Sequence, residues 1–297
     1  MSGISWNRQN VKIIFQEAES DRRIDMRHLI FAGVLVIIIA AALIIGLDYI
    51  QLLPTQASVQ AEPIDSMFAL EFRIIAFLFA LIVVLMIYSI VFFRRKKGDT
   101  TDAKHIEGNT KLEVVWTLIP LGMVLFLAYL GGQSLADTLR QDPRPVQIDV
   151  IGQQWSWRFQ YPEQGIITNE LVMPVNKQAV LHLQSADVIH SFWVPEFRVK
   201  QDVLPGGEGF VRDVFITPKE IGEYKLRCAE LCGEQHTTML ATVRVLSENN
   251  FLDWLSKESG VPNDPVARGQ LWYERYGCNS CHSIDGTRNV GPTWKGL

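Results

Sequence analysis

Residues 29–47 contain no polar side chain. A run of that length can cross a hydrocarbon core of about 30 Å. In lipid the backbone must satisfy its own hydrogen bonds, so such a run has to be a helix. Residues 74–93 form a second run, which ends in Arg94-Arg95-Lys96-Lys97, and residues 114–130 form a third, shorter one that contains Pro120. Overall, 48% of the chain is hydrophobic, an ordinary share. That average conceals a first half dominated by apolar runs and a second half that is polar and mixed. A single water-soluble globule is therefore excluded.

The first run could also be read as the core of a signal peptide, with small residues near 57–61 suited to cleavage. Its charged leader is long for a signal peptide, which favours a retained helix. Residues 1–28 are polar, with Arg22, Arg23 and Arg27 close to the apolar run, and carry no strong fold signal. The loop after the second run is basic and also holds Lys104 and Lys111. Basic loops stay in the cytoplasm. The first span then runs outward, the second inward and the third outward, and everything after about residue 135 lies outside the cytoplasm. The expected spans are 29–50, 68–95 and 112–133, within a membrane region covering 29–134.

Residues 140–145, Arg-Gln-Asp-Pro-Arg-Pro, read as a linker. Beyond them, residues 146–161 alternate polar and apolar side chains, which indicates half-buried strands. Further strand-like runs are 170–175, 179–184, 209–216, 222–228 and 239–245, punctuated by Gly and Pro. Short strands at this spacing suggest a small β-sandwich or barrel over 135–248. Residues 249–260 look like a linker helix, within a linker segment 249–263. Residues 265–276 read as a helix, with Asp264 as N-cap and Pro265 in its first turn. The net charge of −4 argues against nucleic acid as a partner.

Between the last two strand-like runs stand Cys228, Cys232, His236 and Met239, at spacings of four, four and three. Cys-x-x-x-Cys alone is compatible with a disulfide, a redox pair or buried thiols. Adding an imidazole and a thioether makes a copper site, because soft sulfur ligands select copper(I) and imidazole tolerates both copper oxidation states. A second histidine is then wanted from elsewhere. His190 fits, on a loop after the 179–184 strand, whereas His182 lies within that strand and reads as an ordinary side chain. Two thiolates that each bridge two metals suggest a dinuclear copper centre, whose delocalised charge keeps its geometry nearly constant on one-electron transfer.

These residues resemble subunit II of the haem–copper cytochrome c oxidases, with its cupredoxin-like domain and dinuclear CuA centre. The resemblance implies that Cys228 and Cys232 bridge the coppers. His190 and His236 would cap one copper each, Met239 would ligate weakly, and Glu230 would contribute its backbone carbonyl. The side chain of Glu230 would also help bind magnesium at the interface with subunit I. Residues 152–159, Gly-Gln-Gln-Trp-Ser-Trp-Arg-Phe, resemble the family's aromatic segment, which makes Trp155 the point where electrons arrive from cytochrome c; a sandwich-core role is the alternative. Residues 112–120 resemble the start of the family's last membrane helix. Glu113 would then stand at the mouth of a proton channel of subunit I, or simply be an acid stabilised by a helix N-terminus. The resemblance covers roughly 60–250. It departs from the family in the additional first span and at Gly207, where the family commonly has Arg, so it does not extend to a contact made by that arginine.

Cys278-x-x-Cys281-His282 is the attachment signature of a c-type haem, with a redox or zinc pair as the alternative. The preceding helix and residues 291–297 resemble class I cytochrome c, and His282 would be the proximal iron ligand. No Met follows Met239 to act as distal ligand, and few residues follow His282. The expectation for 264–297 is therefore the beginning of an all-α cytochrome c domain that continues further.

The whole reads as a multi-domain bacterial plasma-membrane protein: transmembrane helices, an extracytoplasmic cupredoxin-like sandwich and the start of a cytochrome c domain. The implied function is the electron inlet of a respiratory oxidase. Electrons would come from cytochrome c or another membrane donor complex and pass on to subunit I, where oxygen is reduced with proton translocation. Other oxidase subunits are implied partners. The rivals are the same inlet in a CuA-containing nitric oxide reductase and, from a different class, a membrane copper chaperone or thiol-disulfide protein.

Overall fold

The computed structural model describes residues 8–95, 97–100, 107–260 and 264–296, with backbone alone over 8–25. Lys96 and Lys104 of the basic loop, and residues 261–263 of the linker, lie outside the described residues. The chain forms two compact units: residues 1–52 with 68–118, and residues 53–67 with 119–297.

The first unit is helical. Helix α1 spans Arg8–Ile50, so the leader expected to lack a fold signal is helical from Arg8 onward. Neither Gly nor Pro stands between Arg8 and Gly33, and nothing interrupts helix propagation. Helix α2 covers Ala61–Phe92, starting earlier than expected. Its start is fixed by Ser58, whose Oγ accepts the Ala61 N–H at 3.1 Å. Within the unit, Val36 and Ala40 of α1 pack with Ala80 and Val84 of α2. The small side chains let the two helices approach closely. Helix α3, Thr110–Thr138, is capped by Asn109, whose Oδ1 accepts from the N–H groups of Lys111 and Leu112. Pro120 sits inside α3 and removes one rung of its hydrogen-bond ladder. Three stretches, Met26–Ile50, Ala61–Phe92 and Thr110–Thr138, are long and apolar enough to cross a membrane.

The second unit is a sandwich of two five-stranded sheets. Strands β1 (Val146–Gln153), β2 (Ser156–Tyr161), β3 (Ile166–Thr168), β5 (Ala179–Ser185) and β8 (Arg212–Ile216) form one sheet in the order β3-β2-β1-β5-β8. Strands β4 (Leu171–Pro174), β6 (His190–Val194), β7 (Val199–Val203), β9 (Gly222–Cys228) and β10 (Leu240–Leu246) form the other, in the order β4-β10-β9-β6-β7. The pairs β1–β5 and β4–β10 are parallel. The alternation read from 146–161 buries Ile148, Val150, Trp157, Phe159 and Tyr161 between the sheets. Tyr161 bridges them: its hydroxyl donates to the Val172 carbonyl at 2.7 Å and accepts the Val172 N–H at 2.8 Å. Burial pushes its pKa well above the usual tyrosine value, so it stays a donor.

Three strands escaped the sequence reading: β3, β6 and β7. The run 209–216 is strand only from Arg212, because Gly206 and Gly207 turn the backbone through positive φ and residues 208–210 form a 3-10 turn. The short segment 53–60 is built into the sandwich. Ala57 N–H donates to Glu196 O and Ala57 O accepts from Lys219 N–H, each at 2.9 Å. Asp65, in the first turns of α2, holds Arg198 through two hydrogen bonds, of 2.6 and 3.2 Å. Helix α4 (Glu248–Glu258) is capped by Ser247, and α5 (Pro265–Arg275) by Asp264, whose carboxylate accepts the Ala267 N–H at 2.7 Å.

Candidate metal centre

Strand β9 delivers Cys228 at its last residue, and β10 begins just after Met239. The intervening loop is closed at its base by Cys228 N–H donating to Met239 O at 3.1 Å. Ala229 N–H donates to Ser191 O at 3.0 Å and ties the loop to β6. At the loop's far side a 3-10 turn, His236–Thr238, returns the chain. Gly233 makes the bend at φ 122°, and a Cβ there would stand 3.0 Å from the Trp155 ring and 3.1 Å from Gln154 Nε2. Glycine is needed twice over, for its backbone angle and for the close approach.

His190 is not on a loop, as the sequence suggested, but is the first residue of β6 and fully buried. Its ring rests against the backbone of Gly152, where a Cβ would come within 3.1 Å of it. His190, Cys228 and Cys232 bring one ligand atom each within 4.8 Å of one another. The two Sγ atoms stand 3.7 Å apart, too far for a disulfide, and both thiols are free. Cys228 Sγ lies 3.9 Å from His190 Nδ1 and 3.3 Å from the Glu230 carbonyl oxygen. Cys232 Sγ lies 3.6 Å from His236 Nδ1 and 3.8 Å from Met239 Sδ. All six residues named from the sequence thus meet, with one imidazole beside each thiol.

Sequence reasoning missed Asp187. Its Oδ1 takes a 2.8 Å hydrogen bond from His190 Nε2, which leaves Nδ1 facing Cys228. A carboxylate on the far nitrogen fixes the tautomer and orientation of a ligating histidine. The aspartate is itself held by the N–H groups of Gln154 and Val188, at 2.7 and 2.6 Å. Partial burial works against its charge, but these bonds and His190 outweigh it and keep the carboxyl below its usual value. The available signal was an acid three residues before a candidate ligand in one turn.

The two thiols differ electrostatically. Burial disfavours a thiolate at Cys228, but hydrogen bonding to His190 and the local backbone wins, and its pKa falls to about 6. Cys232 is pushed up to about 12 by burial and by its neighbour Cys228. His190 is raised despite burial, because Cys228 and Asp187 both favour its protonated form.

Glu230 has an exposed side chain, and among the described residues no cluster of three potential metal ligands includes it. Half-buried Trp155 donates its indole N–H to the Cys232 carbonyl at 3.2 Å. Glu113 lies exposed in the first turn of α3. His182 Nδ1 and Nε2 lie 2.7 Å from Asp213 and 2.8 Å from Gln147, as expected of an ordinary strand residue.

Cys278 and Cys281 are free and half-buried, at either end of a 3-10 turn that follows Gly277. His282 Nδ1 lies 2.8 Å from the Pro292 carbonyl, and its ring stacks on Trp294. With Nδ1 donating to that carbonyl, Nε2 is left as the acceptor.

Two family descriptions match the chain: the transmembrane domain of cytochrome c oxidase subunit II over residues 46–131, and its periplasmic domain over residues 165–246. Cytochrome c oxidase subunit 2 of Synechocystis sp. is 33% identical over 263 residues, covering 73% of this chain and 78% of the relative. The chain belongs to the cytochrome c oxidase subunit II family. It is thus a component of an oxidoreductase complex, with its sandwich on the extracytoplasmic side of the membrane. The subunit of Thermostichus vulcanus is 32% identical, covering 72% of this chain and 81% of the relative. A quinol oxidase subunit 2 of Bacillus spizizenii is 30% identical, covering 66% of this chain and 63% of the relative. Among solved structures, the periplasmic domain of subunit II from Bradyrhizobium japonicum shares 30% identity with a TM-score of 0.36, covering 40% of this chain and 96% of that one. Subunit II with a cupredoxin-like domain implies CuA copper, and the soft donors grouped here suit that metal. Most of α1 precedes the matched transmembrane region.

Proposed function

We propose that this chain is the electron inlet of a respiratory cytochrome c oxidase, holding a dinuclear copper centre through His190, Cys228, the Glu230 carbonyl, Cys232, His236 and Met239. The observation that carries this is the pairing of one imidazole with each of two unbridged thiols, 3.9 and 3.6 Å away, with a thioether alongside. Such a centre supplies one-electron storage with little change of shape. The chain's own residues make that possible. The sandwich fixes both thiols, Asp187 orients His190, and the hydrogen bonds from Gln154 and Trp155 to the Cys232 carbonyl hold the loop. Ligands held rigidly by packed elements reorganise little when the charge changes.

Cys278, Cys281 and His282 form the candidate attachment point for a covalent haem c. The donor set fits: two free thiols one turn apart, and an imidazole oriented by a backbone carbonyl. The partner receiving the electrons is subunit I, where oxygen is reduced, and the external donor is a cytochrome c or a membrane donor complex. Trp155 is the contact through which electrons reach the copper loop, and Glu113 serves proton uptake at the cytoplasmic end of α3.

The full chain, purified free of subunit I, should contain two coppers and one covalent haem, measured by elemental analysis and by the spectrum of the alkaline pyridine adduct. One copper or none in the folded domain would sink the inlet reading. Intact copper without covalent haem would sink the haem assignment alone.

A further inference from the structure

The turn between β4 and β5 is tied to the outer ends of two membrane helices. Its Asn176 N–H donates to Pro218 O at 2.8 Å, and Ser58, just ahead of α2, forms a β-bridge with Pro218. The neighbouring Lys219 pairs with Glu62 in the first turn of α2. On the other side, the buried Gln178 side chain holds the chain as it leaves α3. Its Oε1 accepts the Asp142 N–H at 2.7 Å, and its Nε2 donates to the Arg140 carbonyl at 2.9 Å. Anchored to α2 and α3 at once, the turn lies at the membrane surface.

Beside it a cleft of about 500 Å³ opens between the 140–145 linker and α4, within the size range of small-ligand sites. Two cations, Arg144 and Lys177, and two carboxylates, Glu163 and Glu248, line it. Arg144 and Lys177 also line an adjoining cleft of about 420 Å³, together with Asp142 and Pro143. Opposite charges thus share one cleft, yet among the described residues none of these four side chains makes an ion pair. They stand apart, with room between them for a ligand of both signs. Phe251, Leu252 and Leu255 of α4 supply an apolar wall, and Leu252 is left exposed.

We propose that this cleft binds an outer-leaflet phospholipid whose headgroup carries both a phosphodiester and a primary ammonium, as phosphatidylethanolamine does. The phosphodiester is held by Arg144 and Lys177. A guanidinium fork matches two phosphate oxygens, and juxtamembrane basic side chains recognise lipid headgroups in this way. The ammonium, with three donors, is held by Glu163 and Glu248. A purely anionic headgroup would leave both carboxylates unmatched. The start of an acyl chain rests on the α4 wall, a contact closed to a free phosphodiester. Strand β1 begins at Val146 beside the cleft and ends at Gln153, and the next residue, Gln154, donates to the Cys232 carbonyl. The lipid therefore pins one end of the strand whose other end braces the metal loop. Neither the copper nor the haem reading enters this inference.

The test uses the oxidase complex and, in parallel, the full chain in detergent. Phosphatidylethanolamine with a diazirine near the start of one acyl chain is added and photolysed, and adducts are mapped by mass spectrometry. Adducts on residues 251–255 are read against adducts on α3, which is exposed along its length. In the parent the α4 adduct forms, and unlabelled phosphatidylethanolamine competes it away at lower concentration than phosphatidylglycerol. Arg144→Gln combined with Lys177→Gln lowers the α4 adduct several-fold relative to α3. Glu163→Gln combined with Glu248→Gln removes the preference for the ethanolamine headgroup. All four side chains are exposed, so both variants should fold, and an unchanged copper absorption spectrum checks that they do. No α4 adduct in the parent, or an equal one in the Arg144→Gln/Lys177→Gln variant, overturns the site. Preference for phosphatidylglycerol overturns the headgroup. Equal competition by glycerophosphoethanolamine, which has no tails, overturns a lipid as the source. An α4 adduct present in the chain alone but lost in the complex assigns the cleft to another subunit and overturns the proposal.

Discussion

The two cysteine loops are built from the same residue types in opposite ways. Cys228 and Cys232 are buried in a loop whose ends are two neighbouring strands, β9 and β10, and whose second histidine comes from a third, β6. Cys278 and Cys281 are half-buried in one short turn, with His282 immediately after them. The first site draws its rigidity from a packed sandwich and stands ready for its metal. The second has little scaffold of its own and leans on the β1–β2 turn, where Gln153 Nε2 donates to the Tyr276 carbonyl at 3.2 Å. On the reading proposed above, the first loop holds bare ions and needs a framework, whereas the second attaches a large apolar group and takes much of its core from that group.

The difference can be broken most severely at the thiols. Cys228→Ser or Cys232→Ser should abolish copper binding, because a hydroxyl does not replace a bridging thiolate. Cys278→Ser should leave the copper content intact while lowering covalent haem, and elemental analysis with haem quantitation separates the two outcomes. Loss of copper in Cys278→Ser would mean that the loops are not independent sites.

The orientation of His190 comes next. Asp187→Asn should weaken copper affinity about 10–100-fold, the usual cost of losing a carboxylate behind a ligating histidine. Competition with a copper chelator would measure it, and unchanged affinity would show that the strand alone fixes the ring.

A third prediction concerns the copper-free protein. Thiolates are the reactive form. The Cys228 pKa is lowered to about 6, so its alkylation should climb as pH rises through 6 and level off above. Cys232, raised to about 12, should remain slow over the same range. Mass spectrometry of iodoacetamide adducts at successive pH values gives the order directly, and equal rates at pH 7 would contradict the asymmetry.

The smallest effects test the scaffolds. Tyr161→Phe strips the partner from the buried Val172 N–H and carbonyl and should cost about 1–3 kcal/mol in unfolding of the sandwich. Asp264→Ala removes the cap of α5 and should cost about 0.5–2 kcal/mol locally. It should be visible as faster amide exchange in α5, with the copper spectrum unaltered.

The grouping of the donors around Cys228 and Cys232 was legible because its chemistry lies in one short stretch, where four soft or imidazole donors have few other joint uses. The spans were legible because a bilayer tolerates only apolar helices of a minimum length. Strand β6 was not legible. His190, Ser191 and Phe192 are all buried, so the strand shows no alternation to mark it. Strand β3 is three residues long, too short for a period to emerge. Helix α1 was underestimated because its leader is rich in charged residues, and polarity was taken for lack of structure although neither Gly nor Pro stands between Arg8 and Gly33. Asp187 was missed because a single acid in a turn has many possible uses, and only the position of the His190 ring singles out one.

The stitching of residues 53–67 into the sandwich bears on how the protein is made. Ala57 hydrogen-bonds to Glu196 and Lys219, and Asp65 grips Arg198, all of them made more than a hundred residues later. Ala57 lies between the first two membrane helices, and Asp65 lies in the first turns of the second. These contacts form only when that connection and the chain after the third helix lie on the same side of the membrane. A molecule threaded with the wrong topology forgoes them. Correct insertion is thus written into the stability of the sandwich.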